Sequence, residues 1–158
     1  MQKITPFLWF DHQAEAAAKF YTSTFKNSKL KTITRYTKAG PGPEGSVMTV
    51  EFTLNGQDFV ALNGGPNFKF TEAISLVVNC ETQAEVDRYW KKLTSGGGKE
   101  VACGWLKDKY GLFWQITPTM LTKLIADKDP DKVNRVMTAM MKMVKLDIKK
   151  LQAAAAGK

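Results

Sequence analysis

The sequence predicts an α+β chain built from two tandem βαβββ modules, about 1–65 and 71–118, followed by a helical tail from about 118 to 158, all within a single domain. Three observations predict it. The hydrophobic pattern switches between strand and helix period in the same order twice. An internal repeat appears at an offset of 70, with Gln13-Ala14-Glu15 matching Gln83-Ala84-Glu85, Phe20 matching Trp90, and Ile4, Thr5, Phe7 and Leu8 matching Ile74, Ser75, Val77 and Val78. Beyond Thr117 the pattern becomes wholly helical.

Taken in order, Ile4 to Phe10 is an apolar, aromatic run that reads as a buried strand, and Asp11 to Phe25 has the alanine content of a helix. Leu30 to Tyr36 reads as a strand that ends at Lys38-Ala39-Gly40-Pro41-Gly42-Pro43-Glu44-Gly45, a composition neither helix nor sheet tolerates. Val47 to Leu54 and Asp58 to Leu62 are strands joined by Asn55-Gly56, a strong hairpin signal. In the second module Ser95-Gly96-Gly97-Gly98 ends the helix, Val101 to Trp105 and Leu112 to Thr117 read as strands, and Lys107 to Gly111 turns between them. Thr117-Pro118 and Asp129-Pro130 each place a capping side chain before a helix-starting proline. Val133, Met137, Met140, Met141, Val144, Ile148 and Leu151 then form an apolar stripe expected to dock on this subunit or a dimer mate, and Gln152 to Lys158 is expected to fray.

The chain has 158 residues, 44% apolar and 24% charged, which excludes a disordered or collagen-like protein. No apolar run approaches the ~20 residues of a membrane span, and Met1-Gln2-Lys3-Ile4-Thr5-Pro6 lacks the apolar stretch of a secretory leader. A cytoplasmic protein is the expectation. Cys80 and Cys103 are isolated, so two free thiols are expected, with no disulfide framework or structural zinc site.

The net charge is +8, and from Leu121 to Lys158 eight lysines and one arginine face four aspartates. Lys142, Lys145, Lys149 and Lys150 alternate with Met and Leu at helical spacing and lack the exposed aromatics of a base-stacking surface. This pattern favours a solvated helix face over a nucleic-acid interface.

The chemical motifs are sparse. His12, the sole histidine, falls at a strand-to-helix turn with no acid or nucleophile paired to it in sequence, and reads as an exposed loop residue. Cys80 precedes a helix, but Glu81 beside it opposes thiolate formation. Gly96 to Gly98 follow a helix, whereas phosphate-cradling glycines precede one, and no strand is followed by a GxGxG run of the kind that marks a Rossmann S-adenosylmethionine or dinucleotide site. Glu44, Glu51 and Glu72 are scattered.

The tandem modules, the opening Ile4-Thr5-Pro6-Phe7-Leu8-Trp9-Phe10-Asp11, the helix Gln13 to Tyr21, and Asp108-Lys109-Tyr110-Gly111-Leu112-Phe113-Trp114-Gln115-Ile116-Thr117-Pro118 together resemble the PhnB-like branch of the vicinal oxygen chelate (glyoxalase/bleomycin-resistance/dioxygenase) superfamily. The tail from Asp129 to Ile148 resembles that branch too, whose members often carry the description 3-demethylubiquinone-9 3-methyltransferase. The resemblance implies cup-shaped sheets enclosing a cavity, frequently in a homodimer. It also implies that a metal-using member would place His or Glu on the first and last strands of each module. Those positions fall near Thr5 or Pro6, at Ala61, near Ile74 or Ser75, and at Gln115, and none carries His or Glu. No metal and no cofactor are therefore expected.

Because residues two apart on a strand share a face, the implied cavity would be lined by Thr5, Phe7 and Trp9, by Ala61 and Asn63, by Ser75, Val77 and Asn79, and by Phe113, Gln115 and Thr117, with Trp105 as a further wall. The aromatic members would serve equally well as core filling the cup. The reading is a metal-free protein that binds a small, partly apolar molecule and forms a homodimer, with no membrane partner. A lyase, dioxygenase or methyltransferase with a relocated or absent metal site is the alternative, and a third is an interaction or nucleic-acid-binding protein acting through the basic, Met-rich tail.

Overall fold

Hydrophobic alternation in the first seventy residues closes a mixed sheet over one helix. In the computed structural model, which describes residues 2–158, the first unit ends at Phe70 and the second begins at Thr71. The first runs β1 (Phe7–Phe10), α1 (Ala14–Thr24), β2 (Lys29–Arg35), β3 (Val47–Leu54) and β4 (Gln57–Asn63). Its sheet has the order β1-β4-β3-β2, with β1 parallel to β4 and the other pairs antiparallel. Asn55 and Gly56 both take positive φ, 48° and 82°, as a two-residue hairpin requires. Ala14, Ala17, Ala18 and Tyr21 of α1 are buried on the side of the sheet that carries Leu8, Phe10, Val50, Phe52, Phe59 and Ala61. The small alanines let the helix approach closely, and Tyr21 meets Phe52 with ring centroids 6.3 Å apart.

The expected strand from Ile4 shortens to Phe7–Phe10 and is buried on one face only, with Leu8 and Phe10 buried and Phe7 58% exposed; Ile4, before the strand, is exposed. Pro6 has no N–H for the ladder, and its carbonyl is the acceptor for Val60 N–H at 3.0 Å, so regular pairing starts after it. Helix α1 also begins later than Asp11. Its neighbour Gln13 makes no side-chain cap. Instead Asn63, at the end of β4, accepts the Ala14 N–H at its Oδ1 (2.8 Å) and donates from Nδ2 to the Val47 carbonyl (3.1 Å).

The second unit repeats the topology with β5 (Ser75–Cys80), α2 (Gln83–Thr94), β6 (Lys99–Glu100), β7 (Trp105–Lys107) and β8 (Phe113–Pro118), in the sheet order β5-β8-β7-β6. Here the cap is local: Thr82 accepts the Glu85 N–H at 3.2 Å, while Glu85 accepts the Glu81 N–H at 2.7 Å. Val86, Trp90 and Leu93 of α2 are buried together with Leu106, Trp114 and Ile116. Val101 to Gly104 is a turn rather than the expected strand, because Cys103 and Gly104 take φ of 59° and 82°. The turn before β8 starts at Asp108, a carboxylate only 2% exposed. Its Oδ1 accepts the N–H groups of Tyr110 (2.8 Å) and Leu112 (3.1 Å), and its Oδ2 accepts the Trp114 indole N–H (2.9 Å).

Three short helices complete this unit: α3 (Thr119–Ile125), α4 (Pro130–Met140) and α5 (Ile148–Ala155). Asp129 caps α4 as expected, accepting from Asp131 and Lys132 N–H, with Pro130 at the first helical position. Thr117 does not cap α3; it and Pro118 still belong to β8, and the helix starts at Thr119. The apolar stripe is shifted and broken. Leu121, Val136, Leu146 and Leu151 form the buried cluster; Met137 is exposed within α4, whose buried residue is its neighbour Val136, and Met141 and Val144 are exposed in the connector between the end of α4 at Met140 and the helix that Asp147 caps. The cluster docks on this same unit. Cys103 and Gly104 N–H donate to the Met143 and Val144 carbonyls at 2.9 and 2.7 Å, and Gln83 both donates to the Leu146 carbonyl and accepts the Ile148 N–H. The expected frayed end is helical to Ala155, with the Arg135 guanidinium donating to the Ala154 and Ala155 carbonyls. No helix among the described residues is long and apolar enough to cross a membrane.

Replacing Asp108 by Asn keeps its shape but turns an N–H toward one of three N–H donors. This substitution is expected to cost about 2–4 kcal/mol in urea unfolding, and an unchanged midpoint would refute the role assigned to the carboxylate. The two free thiols should behave differently. Burial, reinforced by Glu85 and only partly offset by Arg88, pushes the Cys80 thiol up to about 11. Iodoacetamide near neutral pH should therefore label Cys103 and spare Cys80 until the chain unfolds, as peptide mass mapping will show.

Candidate functional site

Strand register decides which side chains share a face. In the first unit Leu8 stands beside Ala61 and Phe10 beside Asn63, while Phe7 and Trp9 stand beside Val60 and Leu62. Ala61 and Asn63 therefore belong to the α1 side, not to the face of Phe7 and Trp9 as the alternation alone suggested. Ala61 is fully buried, and the Asn63 amide is committed to capping α1. Thr5 precedes the strand and is half-buried. The face away from α1 thus carries Phe7, Trp9, Val60 and Leu62, with Thr49 paired to Leu62. Trp9 is fixed on it: its Nε1–H donates to the Gly65 carbonyl at 2.9 Å, its ring meets Phe68 edge-on at 4.9 Å, and its six-membered ring lies so close to Gly64 that any β-carbon there would collide.

In the second unit the expected residues do come together. Val77 and Trp105 both pair with Gln115, Ser75 and Lys107 both pair with Phe113, and Asn79 pairs with Thr117, so all eight lie on the face away from α2. Gln115 Nε2 donates to Ser75 Oγ at 2.9 Å, forming a neutral polar pair among Val77, Trp105 and Phe113. Val77 is 50% exposed and Phe113 is buried, with the Lys107 ammonium 5.8 Å from its ring centroid. Lys107 was missed because its place opposite Phe113 depends on the pairing across the Asp108 turn, which no local pattern reveals.

The four positions that would carry metal ligands hold a poor donor set. Ala61 has no donor atom, Thr5 and Ser75 offer neutral hydroxyls, and the Gln115 amide is engaged with Ser75. A transition ion needs about three nitrogen, sulfur or carboxylate ligands, and these residues do not fit one. Among the described residues no three His, Cys, Asp or Glu side chains converge elsewhere. His12 is exposed, with Nδ1 3.4 Å from Asp11 Oδ2. Cys80 lies on the α2 side next to Pro118, away from the open face.

The geometry has close counterparts. The PhnB protein of Bacillus cereus is 45% identical over 75% of this chain and the whole of its own, with a TM-score of 0.68. A Pseudomonas aeruginosa protein shares the fold at 18% identity and a TM-score of 0.61 over 75% of this chain and 98% of its own. The fosfomycin resistance protein of Listeria monocytogenes does so at 11% identity and a TM-score of 0.53 over 78% and 97% of the two chains. No functionally curated protein matches. A model of the family described as 3-demethylubiquinone-9 3-methyltransferase matches residues 2–117. With two βαβββ units, a PhnB relative at 45% identity and that match over most of its length, the chain belongs to this PhnB-like family of the vicinal oxygen chelate superfamily.

Proposed function

We propose that this chain binds a small, partly apolar molecule on its open sheet faces without a metal ion, and that it works as a cytoplasmic homodimer. The observation that carries the reading is the Gln115–Ser75 pair on a face shared with Val77, Trp105 and Phe113. Apolar walls supply contact area, and a few neutral hydrogen-bonding groups fix orientation, as in most small-molecule sites. The first unit, taken by itself, carries Phe7 and Trp9 on its own open face, with Thr5 just before the strand. Ala61 and Asn63 enter the proposal only as supports, since they hold that sheet to α1. Half-exposed apolar side chains such as Phe7 and Val77 are the kind of surface that gains from being covered by a guest or a second copy.

Native mass spectrometry with metal analysis, on protein purified without chelator, tests the reading. A metal-free dimer that retains a small molecule is expected, and Gln115→Leu should lower occupancy about fivefold or more by removing the amide and leaving Ser75 without its partner. About one transition metal per chain would overturn the proposal in favour of an enzyme of the lyase or dioxygenase type. Retained S-adenosylmethionine would do so in favour of the methyl transfer that the family description names. A monomeric mass would refute the dimer alone.

A further inference from the structure

Two features of the first unit take no part in its sheet face: the Gly/Pro segment between β2 and β3, and the β1–α1 turn that carries the only histidine. They meet at a cleft of about 500 Å³ whose lining includes Asp11, Glu15, Tyr36, Pro41, Pro43 and Val47. The volume lies within the usual range for small-molecule pockets.

The walls are built rather than loose. Tyr36 N–H donates to the Ser46 carbonyl and Gly45 N–H to the Tyr36 carbonyl, both at 2.9 Å, while Ser46 N–H donates to the Pro43 carbonyl at 3.1 Å. The Tyr36 ring is buried, and its hydroxyl donates to the Asn63 carbonyl at 2.5 Å. Gly40 and Gly42 lie against opposite edges of that ring; a β-carbon on Gly40 would sit 2.8 Å from it, and one on Gly42 closer still. The glycines let the chain fold back over the tyrosine, and the two prolines stiffen it, so little ordering remains to be done on binding. On the other side, Gly64 and Gly65 N–H donate to the Phe10 and Asp11 carbonyls at 2.9 and 3.2 Å.

This bonding fixes the ligand chemistry. Apart from the His12 imidazole, the donors named in the lining are engaged within the fold: the Asn63 amide with the Val47 carbonyl, the Ser46 hydroxyl with the Pro43 carbonyl, and the Gly64 and Gly65 N–H groups as above. The charged acceptors are Asp11 and Glu15. Lys19, 2.8 Å from Glu15, keeps that carboxyl below its ordinary range and therefore ionised. The Asp11 carboxylate lies 3.4 Å from His12 Nδ1, and both side chains line the cleft. The Arg35 guanidinium is turned to the Gly45 carbonyl at 3.0 Å. The exposed His12 imidazole also lines the cleft beside Asp11, and Arg35 adds to the field of Lys19 at Glu15; two carboxylates next to Pro41, Pro43 and Val47 still suit a cation that carries an apolar body.

We infer that this cleft is a second binding site, separate from the sheet faces, for a small organic ammonium compound. The apolar body packs on Pro41, Pro43 and Val47, and the ammonium group lies at Asp11 and Glu15. Titrating the ¹⁵N-labelled chain with benzylammonium, benzyl alcohol and benzoate tests this directly. Benzylammonium should produce saturable amide shifts at Gly42, Ser46, Gly64 and Gly65, benzyl alcohol weaker ones and benzoate none. Asp11→Asn should weaken benzylammonium about three- to fivefold, as expected for an exposed charge pair, and leave benzyl alcohol unchanged. Equal response to the three probes, a preference for benzoate, or no saturable shift at these amides would overturn the inference. Since the readout is confined to the cleft, any of these results leaves the sheet-face proposal untouched.

Discussion

A carboxylate removed from water demands partners before anything around it can settle, and Asp108 is such a group. It receives three N–H groups, two from the turn it begins and one from the Trp114 indole. Those bonds set the length of the β7–β8 turn and clamp Trp114 into the layer beneath α2. With Trp114 turned inward, the strand's alternation must send Phe113 and Gln115 to the opposite face. The composition of the open face thus follows from how a buried acid on the other side is satisfied.

The first unit meets a similar demand by a different route. At the 70-residue offset His12 stands where Thr82 stands in the second unit, and an imidazole there does not cap as a hydroxyl does. The missing acceptor comes from Asn63 at the far end of the sheet, which also bonds the start of β3. One amide therefore ties α1, β3 and β4 together, and its backbone carbonyl holds Tyr36 as well. In the second unit the long-range tie is Gln83, the counterpart of Gln13, whose amide bonds the α4–α5 connector on both sides of Asp147. The tail docks through this amide and through Gly104, where a β-carbon would come within 2.8 Å of Leu146.

Both βαβββ units were legible because their evidence is local: period, the Asn55-Gly56 turn, glycines after a helix, and a repeat. What was not legible depends on pairing. Alternation tells which residues of one strand share a face but not which face a neighbouring strand presents, and a shift of one residue exchanges them all. Alternation alone groups Ala61 and Asn63 with Phe7 and Trp9, whereas the pairing puts Val60 and Leu62 beside them. In the tail, a stripe drawn through Met141 and Val144 assumed one helical phase, while the break before Asp147 resets it and buries Leu146 instead. Val101 to Gly104 has the composition of a strand, whereas the backbone there bends through a non-glycine positive φ at Cys103.

The Gln115–Ser75 pair has a bearing on what a guest on that face would meet. One amide hydrogen of Gln115 is spent on Ser75 Oγ, which leaves the amide oxygen as acceptor and the second amide hydrogen and the serine hydroxyl hydrogen as donors. A face that already satisfies part of itself costs little to keep without a guest, and it rewards only a molecule offering complementary donor and acceptor atoms at that spacing. A purely apolar molecule would gain contact with Val77 and Trp105 but would strand the amide oxygen and the donors beside it. The discrimination expected of such a face therefore comes from the cost of leaving its own polar atoms unpaired more than from the area it buries.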